Sequence, residues 1–320
     1  METQKPNFFL AGAAKCGTTS FSAYLAAHPL IFFSRPKEPH FFSSDFYEHS
    51  RVWSMRGYMR LFREAGPQHL AIGEGSVWYI ASQVAVRNIL EFNPRAKFIV
   101  MVRSPVQMAP SLHSQNLFDC IDDELDFERA WRLQEQRRAG EKIPFLCCEP
   151  KELFYSDRCM LGAQLARLYQ QVPRERVKVI VLEDMSGNPR AAYEDALEFL
   201  GVPSDGRTEF PIKNENKVAR YPGWNKMLAF GGKCKKLLRV QKSFPWGDSL
   251  IQFKAARRKP LKPELEFELC RHFAADVEQL SHLLDHDLTG WLRPDDSAAA
   301  ERQSAKVKAR VSSRQLILAE

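Results

Sequence analysis

The segment Phe8–Ser20, with the sequence FFLAGAAKCGTTS, determines the fold class of this 320-residue chain. It begins with an apolar run typical of a buried strand, passes through a loop bounded by Gly12 and Gly17, and ends in residues that start a helix. The two glycines have the spacing of a phosphate-binding loop. Such a loop carries its lysine directly after the second glycine, but here that position is Thr18 and the lysine stands earlier, at Lys15.

The loop has the properties of an anion site. Glycines let consecutive backbone N–H groups converge, and the amino end of the following helix directs its positive dipole into the same space. Lys15 adds a full charge, and Thr18, Thr19 and Ser20 add hydroxyl groups. We predict that the loop binds an anion; the alternative is a glycine-rich turn with a solvated lysine.

The position of the lysine indicates which kind of anion the loop binds. A kinase or NTPase loop needs its lysine on the β- and γ-phosphates, and it needs a hydroxyl and a carboxylate to hold Mg²⁺. Lys15 comes too early for that arrangement, and no apolar strand ends in a convincing metal-binding aspartate. The loop instead resembles the 5′-phosphosulfate loop of sulfotransferases that use 3′-phosphoadenosine 5′-phosphosulfate (PAPS). The resemblance implies that this donor is bound, with no metal expected, by Lys15, Cys16, Gly17, Thr18, Thr19 and Ser20.

A second segment, Lys37–Phe42, has the sequence KEPHFF and resembles a segment of the heparan-type and related carbohydrate sulfotransferases. Transfer to a hydroxyl requires a group that removes the proton of the acceptor, and a carboxylate or imidazole can do this. The resemblance implies that Glu38 is the base and that His40 assists it or orients the acceptor. The alternative is an exposed glutamate beside a turn, with His40 packed among phenylalanines.

A third segment, Ala96–Pro105, is an apolar, β-rich run that predicts a buried parallel strand. Arg103 stands at its carboxyl end, where ligands collect in open α/β sheets, and Ser111 follows eight residues later on a predicted helix. In sulfotransferases an arginine and a serine at this separation grip the 3′-phosphate of PAPS, and a guanidinium suits that two-pronged contact. The alternative is a structural arginine that pairs with a carboxylate.

A fourth segment, the polar loop Asn214–Tyr221, is similar to an asparagine-rich loop of bacterial sulfotransferases that closes over the nucleotide. Lys217 and Arg220 are therefore further candidates for the 3′-phosphate, unless the loop is merely solvated. It lies within residues 206–262, which carry a net charge of +12 in a chain of net charge +7. We predict a helical, basic C-terminal part that receives an anionic polymer or rests on a membrane surface. No nucleic-acid motif supports nucleic acid as its partner, and a solvated helix face is the alternative.

One segment departs from the heparan-type pattern. Where those enzymes carry a lysine after the glutamate and a proline two residues later, the segment Gly73–Tyr79 has Gly75 and Val77. That lysine normally lies by the reacting hydroxyl. The cofactor half of the site therefore matches the pattern, whereas the acceptor half differs, so the acceptor (a carbohydrate, lipid or small metabolite) is not defined by the resemblance.

Composition favours a soluble enzyme. Hydrophobic residues make up 44% of the chain, enough for one α/β domain with a sizeable core. No stretch approaches the ~20 apolar residues of a membrane span, and the first apolar run, Phe8–Ala14, is too short for a signal peptide. Seven cysteines without metal-like spacing suit a reducing compartment. We expect a cytoplasmic protein, with the option of a peripheral position at the inner membrane surface.

Strands that alternate with helices predict a phosphate-loop-like, doubly wound parallel sheet flanked by helices. We expect one domain over residues 1–294 and a mobile tail over residues 295–320, and we interpret Glu183 and Asp184 as a structural helix start. The predicted strands are Asn7–Ala11, Ile31–Phe33, Leu70–Gly73, Lys97–Val102 and Val177–Leu182. The predicted helices are Thr18–Ala27, Ser54–Ala65, Ser82–Phe92, Val106–Asn116, Phe127–Ala139, Ser156–Gln171, Pro189–Leu200 and Pro263–Leu284.

Together these features predict a bacterial-type, PAPS-dependent sulfotransferase that acts on a hydroxyl group without a metal. Two other functions stay open. One is a phosphotransferase that uses ATP and Mg²⁺, and the other is a non-catalytic relative that binds carbohydrate or membranes.

Overall fold

A computed structural model describes residues 4–49, 52–211, 217–219, 253–255 and 260–293. At its centre is a parallel sheet of five strands in the order β2-β3-β1-β4-β5. Its strands are β1 (Phe8–Gly12), β2 (Ile31–Phe33), β3 (Ala71–Gly75), β4 (Lys97–Val102) and β5 (Val177–Val181). Two further strands, β6 (Lys217–Ala219) and β7 (Phe253–Ala255), pair antiparallel in a separate small sheet.

The central strand β1 is buried along its whole length, with Phe8 aligned to Gly73 of β3 and to Lys97 of β4. A strand covered on both faces has no solvated side for polar residues, which explains its continuous apolar sequence. The alignment of β1 with β4 shifts between Leu10 and Gly12, where the chain leaves the sheet for the loop. The five predicted strands and the α/β fold class are confirmed. The strand β3 continues two residues further than predicted, through Glu74 and Gly75.

Helices connect the strands and flank the sheet. They are α1 (Thr18–Ala26), α2 (Met55–Arg60), α3 (Ala85–Phe92), α4 (Pro105–Phe118), α5 (Phe127–Arg132), α6 (Gln134–Arg138), α7 (Tyr155–Cys159), α8 (Leu161–Tyr169), α9 (Leu182–Gly187), α10 (Pro189–Leu200) and α11 (Pro263–Leu284). The long helix α11 packs against α8 and α4, and α1 packs against α10. Most of the basic region 206–262 and the tail 295–320 lie outside the described residues. In the described ranges, no helix combines the length and the apolar character needed to cross a bilayer.

Two predicted helices are each divided in the structure. The predicted helix Ser156–Gln171 breaks at Met160, because Asp276 of α11 accepts hydrogen bonds from the N–H groups of Gly162 and Ala163 (both 2.8 Å) and so caps a new helix start. The predicted helix Phe127–Ala139 breaks at Leu133.

At that second break the Gln134 side-chain amide donates to the carbonyl oxygen of Trp131 (3.0 Å), which satisfies one of the last carbonyls of α5. Other boundaries also differ from prediction, most of them by one or two residues. Helix α2 ends at Arg60, α3 begins only at Ala85 because the Ser82 hydroxyl accepts the Ala85 N–H (2.9 Å), and Leu182 starts α9 instead of ending β5.

A buried ion pair joins α6 to the chain that follows α4. Arg137 is 1% exposed and makes two hydrogen bonds to Asp122, at 2.9 and 2.7 Å. The Tyr155 hydroxyl of α7 donates to the same carboxylate (2.6 Å). The two-pronged contact and the added hydroxyl compensate for the removal of both charges from water. These three side chains therefore hold α6, α7 and the end of α4 together.

Replacement of Arg137 with methionine is expected to lower the free energy of unfolding by about 3–5 kcal/mol, because the Asp122 carboxylate stays buried without its counter-ion. Denaturant titration followed by circular dichroism measures the difference. Arg129→Met is the matched control, since the Arg129 side chain is 76% exposed, and its effect should stay below about 1 kcal/mol. Equal losses in the two variants would contradict a special role for the buried pair.

Candidate functional site

The loop after β1 meets the amino end of α1 at the carboxyl edge of the sheet. Gly17 caps α1 with a φ of +83°, a region that favours glycine. A Cβ atom on Gly17 would stand 2.7 Å from Leu182 Cδ1. The Ala13 N–H donates to the carbonyl oxygen of Met101 in β4 (2.8 Å), which fixes the loop to the sheet. The first N–H groups of α1, beginning with Thr18, have no carbonyl partner within the helix and lie at this loop.

Not all side chains of the predicted loop serve an anion. The Cys16 thiol is fully buried beside Met108 Sδ (3.9 Å), and burial raises its pKa to about 12. Only the backbone of Cys16 can therefore contribute to the loop. The Ser20 side chain is buried in the first turn of α1 and is hydrogen-bonded to Tyr24. Thr18 is buried and Thr19 is half-buried at the helix start.

The helix α4 supports the lysine of the loop and the arginine that ends β4. Gln107, Ser111 and Gln115 are spaced four residues apart and share one face of α4. Gln115 Oε1 accepts a hydrogen bond from Lys15 Nζ (3.1 Å), and Gln107 Oε1 accepts one from Arg103 Nη2 (2.9 Å). Ser111 is buried between these two glutamines on that face. Lys15, predicted to hold the 5′-phosphosulfate, and Arg103, predicted to hold the 3′-phosphate, are thus both hydrogen-bonded to the same face of α4.

Arg103 also contacts the loop directly. Its Nη1 donates to the carbonyl oxygen of Lys15 (3.0 Å), a residue with a left-handed φ of +64°. Its Nε is buried and has no acceptor among the described residues. The alternative of a structural arginine required an ion pair with a carboxylate. No carboxylate of the described part of the chain forms an ion pair with Arg103. The guanidinium therefore holds the loop, and its Nε is a buried donor without an acceptor in the described part of the chain.

The segment after β2 carries the predicted base to the same edge. The Ser34 N–H donates to Gly73 O and the Glu38 N–H donates to Gly75 O, both at 2.9 Å, so this segment runs along the end of β3. Lys37 Nζ donates to Glu38 Oε1 (2.7 Å) and to Thr18 Oγ1 (3.3 Å). A lysine thus connects the Glu38 carboxylate to the first helical residue of the loop.

The Glu38 carboxylate is held in its ionised form. Burial alone would raise its pKa, but the nearby His40 imidazole and the charge and hydrogen bond of Lys37 outweigh that effect and keep the pKa well below the usual range. His40 Nε2 lies 3.8 Å from Glu38 Oε2, and His40 is buried. An ionised carboxylate is the form that can accept a proton from an acceptor.

A second carboxylate, Glu74, lies behind this segment. Glu74 is fully buried at the end of β3 and accepts hydrogen bonds from the hydroxyl groups of Ser76 (2.8 Å), Tyr58 (3.4 Å) and Tyr79. The Ser76 hydroxyl in turn accepts the His40 N–H (3.1 Å). Burial raises the pKa of Glu74 to about 7.

Known proteins resemble this chain both in structure and in sequence. The crystal structure of a sulfotransferase from Alicyclobacillus acidocaldarius matches with a TM-score of 0.67 and 28% identity, and the match covers 91% of this chain and 100% of that one. The human bifunctional heparan sulfate N-deacetylase/N-sulfotransferase 2 is 26% identical over 224 residues, which are 68% of this chain and 23% of that protein. The membrane-associated sulfotransferase kil1 of Dictyostelium discoideum is 31% identical over 106 residues, 33% of this chain and 22% of that protein. No protein-family model matches the chain.

The chain therefore resembles sulfotransferases over most of its length. It spans about a quarter of the length of the curated relatives that it matches. The predicted resemblance is therefore confirmed at the level of the family. No cluster of three or more metal-ligating side chains occurs among the residues that the structure describes.

Apart from Cys16 and Ser20, the predicted site residues fall into three groups. Two groups lie at one edge of the sheet. The residues predicted to bind the donor, here named the donor side, are Lys15, Gly17, Thr18, Thr19, Arg103 and Ser111, and the residues predicted to act on the acceptor, named the acceptor side, are Glu38 and His40. The third group is not placed, because only the backbone of Lys217 is described, in β6, and Arg220 lies outside the described residues.

Sequence reasoning missed Lys37, Gln107, Gln115 and Glu74 as parts of the site. Lys37 stands next to the predicted base, and the two glutamines follow Arg103 at helical spacing, so a signal was present for them. For Glu74 the pattern gave no indication of burial. Glu183 accepts the Ser104 N–H at the start of α4 (3.3 Å), a contact that suits the structural role predicted for it.

The pH dependence of stability should report on Glu74. Its folded-state pKa of about 7 lies above the ordinary 4.5, so the folded protein retains a proton that the unfolded chain releases. Its stabilising contribution is complete below the unfolded pKa and is lost as the pH rises through the folded pKa. Relative to Glu74→Gln, the free energy of unfolding of the unmodified protein should fall by about 3 kcal/mol between about pH 5 and pH 8.

Denaturant titrations at a series of pH values measure this difference. Glu64→Gln is the matched control because the Glu64 side chain is 74% exposed, and it should keep the pH dependence of the unmodified protein. Parallel pH profiles for the unmodified protein and E74Q would contradict a raised pKa at Glu74.

Proposed function

We propose that this protein transfers the sulfonyl group of PAPS to a hydroxyl group of an acceptor. One observation carries the proposal: the Thr18 hydroxyl at the anion loop and the Glu38 carboxylate share the ammonium group of Lys37, at 3.3 and 2.7 Å. A predicted base therefore lies beside a predicted anion site, as transfer from a bound donor to a nearby hydroxyl requires. The resemblance to sulfotransferases in sequence and in structure supports the same reaction.

The residues of the donor side fit the two ends of PAPS. Lys15 and the N–H groups of Gly17, Thr18 and Thr19 would hold the 5′-phosphosulfate, because helix amino ends and lysines attract anions. Arg103 and Ser111 would hold the 3′-phosphate, and the buried Arg103 Nε without an acceptor among the described residues is a donor suited to that role.

The acceptor side would carry out the proton transfer. Glu38 removes the proton as the acceptor oxygen attacks sulfur, and His40 orients the Glu38 carboxylate. Lys15 stabilises the negative charge that grows on the departing phosphate oxygen. The donor supplies the sulfonyl group, and the products are a sulfate ester and 3′-phosphoadenosine 5′-phosphate (PAP). None of these steps uses a metal.

The acceptor would differ from that of the heparan-type enzymes. Gly75 occupies the position of their lysine, and a Cβ atom there would stand 3.1 Å from the Phe33 ring and 3.5 Å from Leu10. We propose a hydroxyl-bearing carbohydrate, lipid or small metabolite as the acceptor. The charge of residues 206–262 supports contact of that region with an anionic polymer or a membrane surface. A cytoplasmic location stays a prediction from the cysteine content.

Binding of PAP tests the donor side. The unmodified protein should bind PAP in the presence of EDTA, and Lys15→Ala and Arg103→Met should each weaken binding by roughly 10- to 100-fold through loss of a charge-assisted contact. Isothermal titration calorimetry measures the affinity. Arg95→Met, at the exposed amino end of β4, is the matched control and should bind PAP normally. Unchanged affinity in R103M, or binding of ATP with Mg²⁺ in place of PAP, would refute this assignment and the latter would favour a phosphotransferase.

Turnover tests Glu38. With sulfur-labelled PAPS and extracts of glycans, lipids and metabolites, Glu38→Gln should lose about 10²–10⁴-fold in rate while its affinity for PAP is retained. Glu64→Gln should be fully active, because it removes only an exposed carboxylate. Normal turnover by E38Q would exclude Glu38 as the base. Binding of PAP without sulfation of any acceptor by the unmodified protein would favour the non-catalytic alternative.

A further inference from the structure

We propose that Lys37 is a second cation of the donor site, whose ammonium group contacts the transferred sulfonyl group while it holds the Glu38 carboxylate. This inference rests on the proposed function. Its basis is the position of Lys37 Nζ, which lies 2.7 Å from Glu38 Oε1 and 3.3 Å from Thr18 Oγ1. The 5′ end of the donor would lie at Thr18, so the lysine stands between the bound donor and the base.

The backbone on either side of Lys37 holds it in this place. The Ser34 and Glu38 N–H groups are each bonded to the end of β3, and Pro36 and Pro39 restrict the backbone between and after them. The Lys37 side chain is only 21% exposed. The Lys37 side chain therefore contacts Thr18 from a constrained segment and is not a freely moving surface lysine.

Lys15 belongs to the loop itself, whereas Lys37 reaches the loop from the segment after β2, and different elements hold the two ammonium groups. Lys15 Nζ is bonded to Gln115 on α4, whereas Lys37 Nζ is bonded to Thr18 and to Glu38 of the segment after β2. Lys15 is thus placed toward the helix that also supports Arg103, and Lys37 is placed toward the base. This arrangement assigns the leaving phosphate to Lys15 and the sulfonyl oxygens to Lys37.

The transfer step balances with Lys37 unchanged. A bond forms between the acceptor oxygen and sulfur while the bond from sulfur to the bridging phosphate oxygen breaks. The proton of the acceptor passes to Glu38, and the electron pair of the broken bond stays on the 5′-phosphate of PAP. Lys37 keeps its proton and its positive charge throughout, so its contribution is electrostatic.

The charge of Lys37 also acts on Glu38. The charged and titratable groups that act on Glu38 include Lys37 and His40 from its own segment, Glu74 from β3 and Asp119, which directly follows α4. The two carboxylates oppose ionisation of Glu38, and the two nitrogen groups favour it. Removal of the Lys37 charge should therefore raise the pKa of Glu38.

The experiment compares Lys37→Met and Lys37→Arg with Arg35→Met, which removes an exposed cation from the same turn. Calorimetry gives the affinities for PAPS and for PAP, which lacks the sulfonyl group. Carbon-13 NMR titration gives the pKa of Glu38, with its signal assigned from E38Q. Circular dichroism verifies that each variant is folded.

We expect K37M to weaken PAPS binding by roughly tenfold more than PAP binding and to raise the pKa of Glu38. K37R should recover most of the PAPS affinity, and R35M should behave as the unmodified protein. Equal losses for PAPS and PAP, or none, would overturn the inference and leave Lys37 as a local ion-pair partner of Glu38. Failure of the unmodified protein to bind either nucleotide would instead refute the proposed function.

Discussion

The hydrogen bond from Arg103 to the carbonyl oxygen of Lys15 joins the two halves of the donor side. It connects the end of β4 to the loop after β1, and it holds Lys15 in a left-handed backbone conformation. Without such a contact, a loop with a strained residue would relax and its N–H groups would diverge. The Nε of the same guanidinium is buried without an acceptor in the described part of the chain. Arg103 therefore has a structural role in the loop in addition to the binding role that we propose for it. The two alternatives drawn from the sequence treated a structural and a binding arginine as mutually exclusive.

A second constraint lies on the acceptor side. Glu38 and His40 both have positive φ angles, +65° and +52°, which non-glycine residues seldom adopt. The surrounding hydrogen bonds maintain this backbone: Glu38 N–H is bonded to the end of β3, and His40 N–H is bonded to Ser76, which itself is bonded to Glu74. The buried Glu74 carboxylate is costly to ionise, but the three hydroxyl groups that donate hydrogen bonds to it stabilise it. The position of Glu38, the proposed base, thus depends on a chain of hydrogen bonds that ends at Glu74.

The sheet could be predicted closely because its signal is local. Buried parallel strands are short apolar runs, and each run here is bounded by residues that break strands. The breaks between α5 and α6 and between α7 and α8 could not be predicted. The second break arises from Asp276, which is 114 residues from Gly162 in sequence and is adjacent to it only after α11 has packed against α8.

For the site, the sequence by itself determined the glycine loop, the displaced Lys15, the base candidate Glu38 and the strand-end Arg103, since each belongs to a short segment with its own chemistry. Only the tertiary structure decided that the Cys16 thiol turns into the core, that Glu74 is buried behind the base, and that Lys37 bridges Glu38 to Thr18. These facts depend on the alignment of strands and on the packing of α4 against the loop. Contacts between residues 19 to 100 positions apart, such as Lys37 with Thr18 and Lys15 with Gln115, exist only once the sheet has set the distances between its loops.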